Sequence, residues 1–324
     1  MKTTKLVIII LFLFLQNLQA QDMPGSSQYL FSGFLLNPAV AGTNECKELR
    51  ITDRHQWLGV PLAPNTQTIS YHMRYDPDGK QISYHGFGII VGNDVNGPLK
   101  KFGAELAYAY HTTLIENRNK AKNMHLSFGL SVSGANFILD ESIFEPAMSS
   151  DPILTGAKEV AKVFNANVGV FLYSHNLYAG IAGRQLIPSN ISFYGNEEKT
   201  QPMHLFLYAG YRNITTYGIG VEPSFAFKME PSKMQLDVNF KTHFYAILWV
   251  GASARFVNNG EFKGNSILPM FGFNFEGFNF GYAFDYSLNG ISGTHNGTHE
   301  IMLGYDICPD RTVRGHRSVP CPAY

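Results

Sequence analysis

Beyond its first twenty residues the sequence has no long hydrophobic run, and it has few charged residues and few cysteines. A membrane-spanning helix needs about 18 consecutive apolar residues, and no later segment comes close. Lys and Arg balance Asp and Glu at 25 residues each, so no basic excess indicates a nucleic-acid partner. The three cysteines match no zinc-binding spacing. These absences exclude a helical membrane protein and disfavour nucleic-acid-binding and zinc-binding domains.

What the chain does contain is alternation between large and small side chains, clearest at residues 274–289 (NFEGFNFGYAFDYSLN). A period of two places alternate residues of an extended strand on opposite faces. A large aromatic face opposite a small or polar face is typical of a strand with lipid outside and a wet lumen inside. The large set is Phe278, Phe280, Tyr282, Phe284 and Tyr286, and the small or polar set is Asn279, Gly281, Ala283, Asp285 and Ser287.

The same alternation predicts an all-β fold, a transmembrane antiparallel β-barrel of about fourteen strands. An even strand number is usual for bacterial outer-membrane barrels, and it places both chain ends on the periplasmic side. Short predicted turns mostly alternate with long connections, as outer-membrane barrels do. The candidate strands are 49–57, 66–75, 85–95, 102–114, 124–139, 164–174, 176–186, 203–214, 218–229, 234–244, 246–256, 267–276, 278–288 and 299–308.

Four segments are expected along the chain. Residues 1–20 have the basic start, apolar run and small-residue cleavage site of a secretory signal peptide, and therefore predict export. Residues 21–48 form a lead-in that packs without a regular period, and residues 49–308 form the barrel. Residues 309–324 form a basic periplasmic tail. The tail's Arg311, Arg314 and Arg317 are either solvated or dock to a periplasmic partner.

Several motifs in the first part of the chain resemble the PorP/SprF family of outer-membrane proteins. They are the box NPAVAG at 37–42, RHQWLG at 54–59, Pro64-Asn65-Thr66 and Ser70-Tyr71-His72. The resemblance implies a non-enzymatic component of type IX secretion and gliding motility. Such a barrel would bind or anchor a secreted surface adhesin and contact periplasmic and outer-membrane secretion components. The residues that carry the resemblance, and that are candidate partner contacts, are Asn37, Pro38, Ala39, Gly42, Arg54, Gln56 and Trp57.

Other interpretations of these motifs stay open at this stage. Pro38 and Gly42 favour a structural bend before the first strand over a direct partner contact. A related NPA turn also occurs in FadL-like channels, so a transporter of hydrophobic small molecules or a general porin is the alternative function.

Charged residues in the strands are predicted to face the lumen, because one on the lipid face at mid-membrane costs about 2–4 kcal/mol. The first strand places Arg50, Thr52, Arg54 and Gln56 on one face. Ion pairs that fill and brace the barrel are favoured over an ion-selective pore. The other predicted lumenal charges are Glu105, Asp237, Lys241, Glu276, Asp285 and Asp306.

The cysteines predict a disulfide in an exported protein. Barrel closure makes the first and last strands neighbours, so Cys46 is expected to bond Cys308 or Cys321, with Cys308–Cys321 as the alternative.

No cofactor, metal ion or catalytic group is predicted. His295, His299 and Glu300 lack the fixed helical face of a zinc motif. Residues 93–97 lack the distant glutamate of a calcium loop. Ser131 and Ser133 have no nucleophile elbow around them.

Overall fold

A computed structural model describes residues 32–77, 82–116, 123–143, 158–193, 197–213, 218–231, 233–258, 262–288 and 295–308. The predicted signal peptide (1–20), the first part of the lead-in and the tail (309–324) lie outside these residues. No helix in the described ranges is long and apolar enough to cross a membrane.

Fourteen strands form one closed antiparallel barrel, which confirms the predicted fold class. Each barrel strand pairs with the next, and β1 pairs with β16 to close the cylinder. A separate hairpin, β8–β9, interrupts the order, so β7 pairs directly with β10. The strands are β1 (Lys47–His55), β2 (Asn65–Tyr75), β3 (Ser83–Asn96), β4 (Leu99–Ile115), β5 (Met124–Asp140), β6 (Lys158–Tyr173), β7 (Leu177–Arg184), β8 (Asn190–Phe193), β9 (Glu197–Thr200), β10 (His204–Tyr211), β11 (Ile219–Glu230), β12 (Lys233–Phe244), β13 (Leu248–Asn258), β14 (Phe262–Phe275), β15 (Phe278–Ser287) and β16 (Thr298–Ile307).

The side chains alternate between an apolar exterior and a polar interior, as the sequence predicts. On β5, Val132 is 57% exposed, while its neighbour Ser131 is 1% exposed. On β15, Tyr286 is 50% exposed and Asp285 only 7%. In a soluble protein such exposed apolar residues would be costly, but here they form the surface that meets hydrocarbon.

We call the end of the barrel where β1 begins and β16 ends the near end, and we call the opposite end the far end. At the near end a disulfide joins Cys46 to Cys308, one of the pairings that the sequence leaves open. Beside it, Arg50 on β1 donates to Asp306 on β16 at 2.6 Å. The seam between the first and last strands is therefore held by a covalent bond and by an ion pair in addition to its backbone ladder.

Some strands are longer than a bilayer requires. β4 and β5 have 17 residues each, whereas about ten residues of a tilted strand cross the hydrocarbon. Their far-end halves, with β6, carry polar outward residues such as Asn136 and Lys162. The barrel wall therefore rises above the membrane at the far end. On its inner side, Ile191 of the β8–β9 hairpin packs with Phe137 and Val163.

Two sequence expectations need correction. Glu276 does not face the lumen, because it is exposed in the tight turn between β14 and β15 with a φ of 48°. The predicted loop at 187–202 contains the β8–β9 hairpin.

Candidate functional site

The lead-in folds inside the barrel, and we call its described part, residues 32–44, the plug. The plug consists of two short 3-10 turns, Gly33–Leu35 and Pro38–Val40. Asn37 lies between the turns in an extended conformation, and its side-chain oxygen accepts from the Ala39 backbone N–H at 2.9 Å. Pro38 suits the first position of the second turn, because its missing N–H would have no partner there. Asn37 of the NPA sequence thus caps the 3-10 turn that begins at Pro38.

Hydrogen bonds tie the plug to strands on several sides of the lumen. The Asn37 amide donates to the carbonyl oxygens of Val170 on β6 at 3.0 Å and Ile181 on β7 at 3.3 Å. On β5, the Ser127 hydroxyl donates to the Ala39 carbonyl at 2.7 Å. On β2, His72 Nδ1 accepts from the Gly42 backbone N–H at 3.3 Å. Nearly every plug residue from Gly33 to Thr43 is buried, so the plug is part of the packed interior.

Glycines in the barrel wall make room for the plug backbone. A Cβ atom on Gly129 would lie 2.1 Å from the Ala39 nitrogen, and one on Gly169 would lie 1.9 Å from the Asn37 side-chain oxygen. A Cβ atom on Gly86 would lie 1.8 Å from the Ala41 carbonyl oxygen. Because real Cβ atoms do not approach so closely, these three wall positions require glycine while the plug is seated.

A row of aromatic and imidazole side chains supports the plug at the near end. His111 on β4 contacts the Ala41 carbonyl oxygen through Nε2 at 2.8 Å. Since a carbonyl only accepts, Nε2 carries the proton, and in the neutral ring Nδ1 accepts from the Tyr173 hydroxyl at 2.9 Å. Tyr173 in turn contacts the Tyr84 hydroxyl, and the Arg74 guanidinium lies 3.5 Å above the Tyr84 ring.

Toward the far end, above the plug, the lumen contains a cavity of about 250 Å³, which we call the cup. Leu35 and Leu36 of the plug contribute its floor. The far-end halves of several strands form its walls, with side chains such as Thr66, Asp94, Lys101 and Arg184. The cup therefore combines several charged and polar side chains on its walls with an apolar base.

Ion pairs between nearby strands line the rest of the lumen. Arg54 on β1 donates to Glu300 at 3.1 Å. Arg255 on β13 donates to both Asp237 and Asp285 at 3.0 Å. All five side chains are at least nine-tenths buried. These pairs agree with the interpretation that lumenal charges brace the barrel.

The predicted site residues do not gather at one place. Asn37, Pro38, Ala39 and Gly42 are in the plug and buried, so a partner contact there stays a prediction that requires the plug to leave. Arg54 faces the lumen. Gln56 and Trp57 follow β1 at the far end, where the Trp57 ring lies 6.3 Å from the His295 ring. Arg311, Arg314, Arg317 and Cys321 lie outside the described residues.

The far-end histidines make protein contacts. His299 Nδ1 contacts the Tyr282 hydroxyl at 2.7 Å, and His295 Nδ1 accepts from the Gly297 N–H at 2.9 Å. Within the described ranges, no group of three or more His, Cys, Asp or Glu residues is arranged to hold a metal ion.

Comparison with known families decides the classification. The family of type IX secretion system membrane proteins PorP/SprF matches residues 18–305. The chain belongs to the PorP/SprF family. Together with the barrel fold, membership makes the protein an outer-membrane component of type IX secretion.

Comparisons with curated proteins and with solved structures do not identify a function. No curated protein matches the chain significantly. Among solved structures, it is similar to a mutant Rh. blastica porin with 9% identity and a TM-score of 0.36, covering 81% of this chain and 99% of the porin. Salmonella typhi OmpF with daunomycin has 10% identity and a TM-score of 0.39, covering 82% and 98%. A deltaS2 mutant of the TodX monoaromatic hydrocarbon channel has 10% identity and a TM-score of 0.43, covering 86% and 93%. Scores this low carry no argument about function.

Proposed function

We propose that this barrel is a non-enzymatic anchor of the type IX secretion machinery. Its far end faces the cell exterior and holds a secreted surface adhesin. Its near end faces the periplasm and contacts other secretion components. Neither a cofactor nor nucleic acid takes part.

The observation that carries this proposal is the seated plug. It occupies the lumen between β2 and β10 and is fixed by hydrogen bonds to β2, β4, β5, β6 and β7. A barrel that fills its own interior in this way is suited to act as a rigid support. A general porin would need an open lumen on this side, and a hydrophobic-substrate transporter would need an apolar path past the plug.

The structures of the two ends support separate roles, with secretion components bound at the near end and the surface protein at the far end. At the near end, the disulfide joins Cys46, which lies between the plug and β1, to Cys308 at the end of β16. The chain continues from there into the tail with Arg311, Arg314 and Arg317, a cluster that suits an acidic surface. At the far end, the raised strands and the β8–β9 hairpin offer a wall above the membrane. Loops held by rigid scaffolds commonly carry binding functions.

The test is to delete the protein and complement the strain with two variants. One variant has Arg311, Arg314 and Arg317 replaced by Gln, and the other has residues 188–200 replaced by a short Gly-Ser linker. We expect the deletion to remove one large protein from the surface proteome. The tail variant should stay in the outer membrane but lose co-purifying secretion components. The hairpin variant should keep these components but lose the surface protein.

Controls separate the proposal from a transport function. Replacing the outward Lys162 by Gln changes a charge on the same wall without touching the hairpin or the tail, so it should behave like the wild type. A normal surface proteome in the deletion strain, combined with impaired uptake of a solute, would overturn the anchoring proposal in favour of transport.

A further inference from the structure

Two hydrogen-bond donors in the cup have no acceptor among the residues that the structure describes. Lys101 has no ion pair or hydrogen bond within the described part of the chain, and its ammonium lies 5.3 Å from the centre of the Phe137 ring. Arg184 is 7% exposed and uses its terminal nitrogens on Glu105, yet its Nε has no partner among the described residues. A buried donor without an acceptor is destabilising, and this applies to Arg184 Nε. Lys101 is half-buried and presents its positive charge to the cup. Both groups therefore favour an incoming acceptor.

The two donors lie on the same side of the cup. Lys101 and Glu105 are four residues apart on β4, so both point inward, and Arg184 bonds to Glu105. Glu105 is already satisfied by Arg184 and by the Ser131 hydroxyl, which donates at 2.7 Å. The remaining positive charge in this corner therefore belongs to Lys101.

Asp94 is the carboxylate closest in register to Lys101, as its direct cross-strand partner on β3. It accepts from the Thr66 hydroxyl at 2.6 Å, and within the described residues it forms no ion pair with Lys101. With Glu105 and Asp237 also lining the cup, a dianion such as phosphate would face three carboxylates. These carboxylates would repel a ligand with a single negative charge less strongly.

The apolar floor sets a second requirement. Leu35 and Leu36 of the plug, with Ile90 and Phe206 from the wall, line the base of the cup. Apolar surface there favours an apolar group, because covering it removes apolar area from water. At about 250 Å³ the cup admits a small molecule or the end of a longer chain.

We propose that the cup binds a carboxylate carried by an apolar group. The carboxylate accepts from Lys101 Nζ and Arg184 Nε, and the apolar group lies on Leu35 and Leu36. The same chemistry is present in a free aliphatic acid and in the C-terminal carboxylate of a peptide that ends in aliphatic residues. This inference rests on the lumen alone and is independent of the anchoring proposal.

The test is calorimetric titration of the full-length protein in detergent. The probes are hexanoate, its uncharged analogue hexanamide, and the peptide acetyl-Gly-Leu-Leu as free acid and as amide. We expect the acids to bind at least about tenfold more tightly than the amides, the effect of losing one charged hydrogen bond. Lys101→Gln should remove this preference, whereas Lys162→Gln, a lysine that faces outward on the same wall, should keep it. Asp94→Asn should strengthen binding, because it removes the competing carboxylate.

The two sources give different results. Tighter binding of the peptide acid than of hexanoate identifies a chain terminus as the ligand, and similar or tighter binding of hexanoate identifies a free acid. If neither acid binds better than its amide, or if folded Lys101→Gln keeps the preference, the inference is wrong. If Lys101→Gln does not fold, the comparison of acid binding with amide binding to the wild-type protein still tests the inference. Because the titration uses isolated protein, its failure would leave the surface-proteome test of the anchor unaffected.

Discussion

Most of this structure can be tested at once by releasing the plug from the barrel wall. Asn37→Ala is the single substitution that weakens the attachment of the plug. The change removes two donations from the Asn37 amide to wall carbonyls and one acceptance from the Ala39 N–H. Each such bond contributes about 0.5–1.5 kcal/mol net. The bond to the Ala39 N–H lies within the plug, so only the two donations to the wall distinguish the seated from the unseated plug. Their loss should weaken the seated plug by about 1–3 kcal/mol. That corresponds to roughly a 5- to 150-fold increase in the ratio of unseated to seated plug.

The assay is conductance of the purified protein in planar bilayers, combined with labelling of an Ala41→Cys probe by a water-soluble thiol reagent. In the wild-type background Ala41 is fully buried and should label slowly. Asn37→Ala should increase both the time spent in conducting states and the labelling rate. Asn279→Ala is the matched control, because Asn279 is a buried lumenal asparagine that contacts Asp306 and Gly277 away from the plug. Unchanged conductance and labelling in Asn37→Ala would refute the plug as a structural barrier.

Three further predictions concern the barrel itself. Cys308→Ser should lower the temperature at which the folded form is lost on unheated gels, consistent with a cost of about 2–5 kcal/mol for losing a native disulfide; Cys321→Ser should leave it unchanged, and the reverse result would contradict the observed pairing. Leu130→Arg places a charge on the lipid face and should reduce folding stability in lipid vesicles by about 2–4 kcal/mol, whereas Leu130→Ile should have little effect; equal stabilities would place this face away from lipid. Arg255→Leu leaves the buried Asp237 without its cation and Asp285 with only the longer pair to Arg54 at 3.8 Å; it should cost about 3–5 kcal/mol in the same denaturation assay, and a neutral result would show that the lumen around them is well hydrated.

The fold could be predicted from the sequence because lipid outside and water inside impose a period of two on each crossing. All fourteen barrel strands were predictable, mostly within a few residues of their observed ends. The signal fades where strands rise above the bilayer. The sequence predicts that β6 begins at residue 164, but the observed strand begins at Lys158. The prediction starts too late because Lys158 and Lys162 face water there and break the apolar alternation.

The site was less predictable, because it depends on contacts between distant parts of the chain. The NPAVAG box indicates a bend, but nothing local says that Ala39 will lie against Gly129 or Asn37 against Gly169. One signal was available in the glycines on the inward parity of β3, β5 and β6. Glycine at inward positions of neighbouring strands indicates that another backbone approaches the wall closely. The free donors of Lys101 and Arg184 could not be inferred, since ion pairing in the lumen depends on register across strands.

The most direct test of the anchoring account is affinity purification of the full-length protein from outer membranes in mild detergent, with mass spectrometry of what accompanies it. The account predicts a large secreted surface protein together with secretion components, and loss of that same surface protein from cells that lack the barrel. Recovery of the barrel alone, from cells whose surface proteome is unchanged by its deletion, would contradict the account.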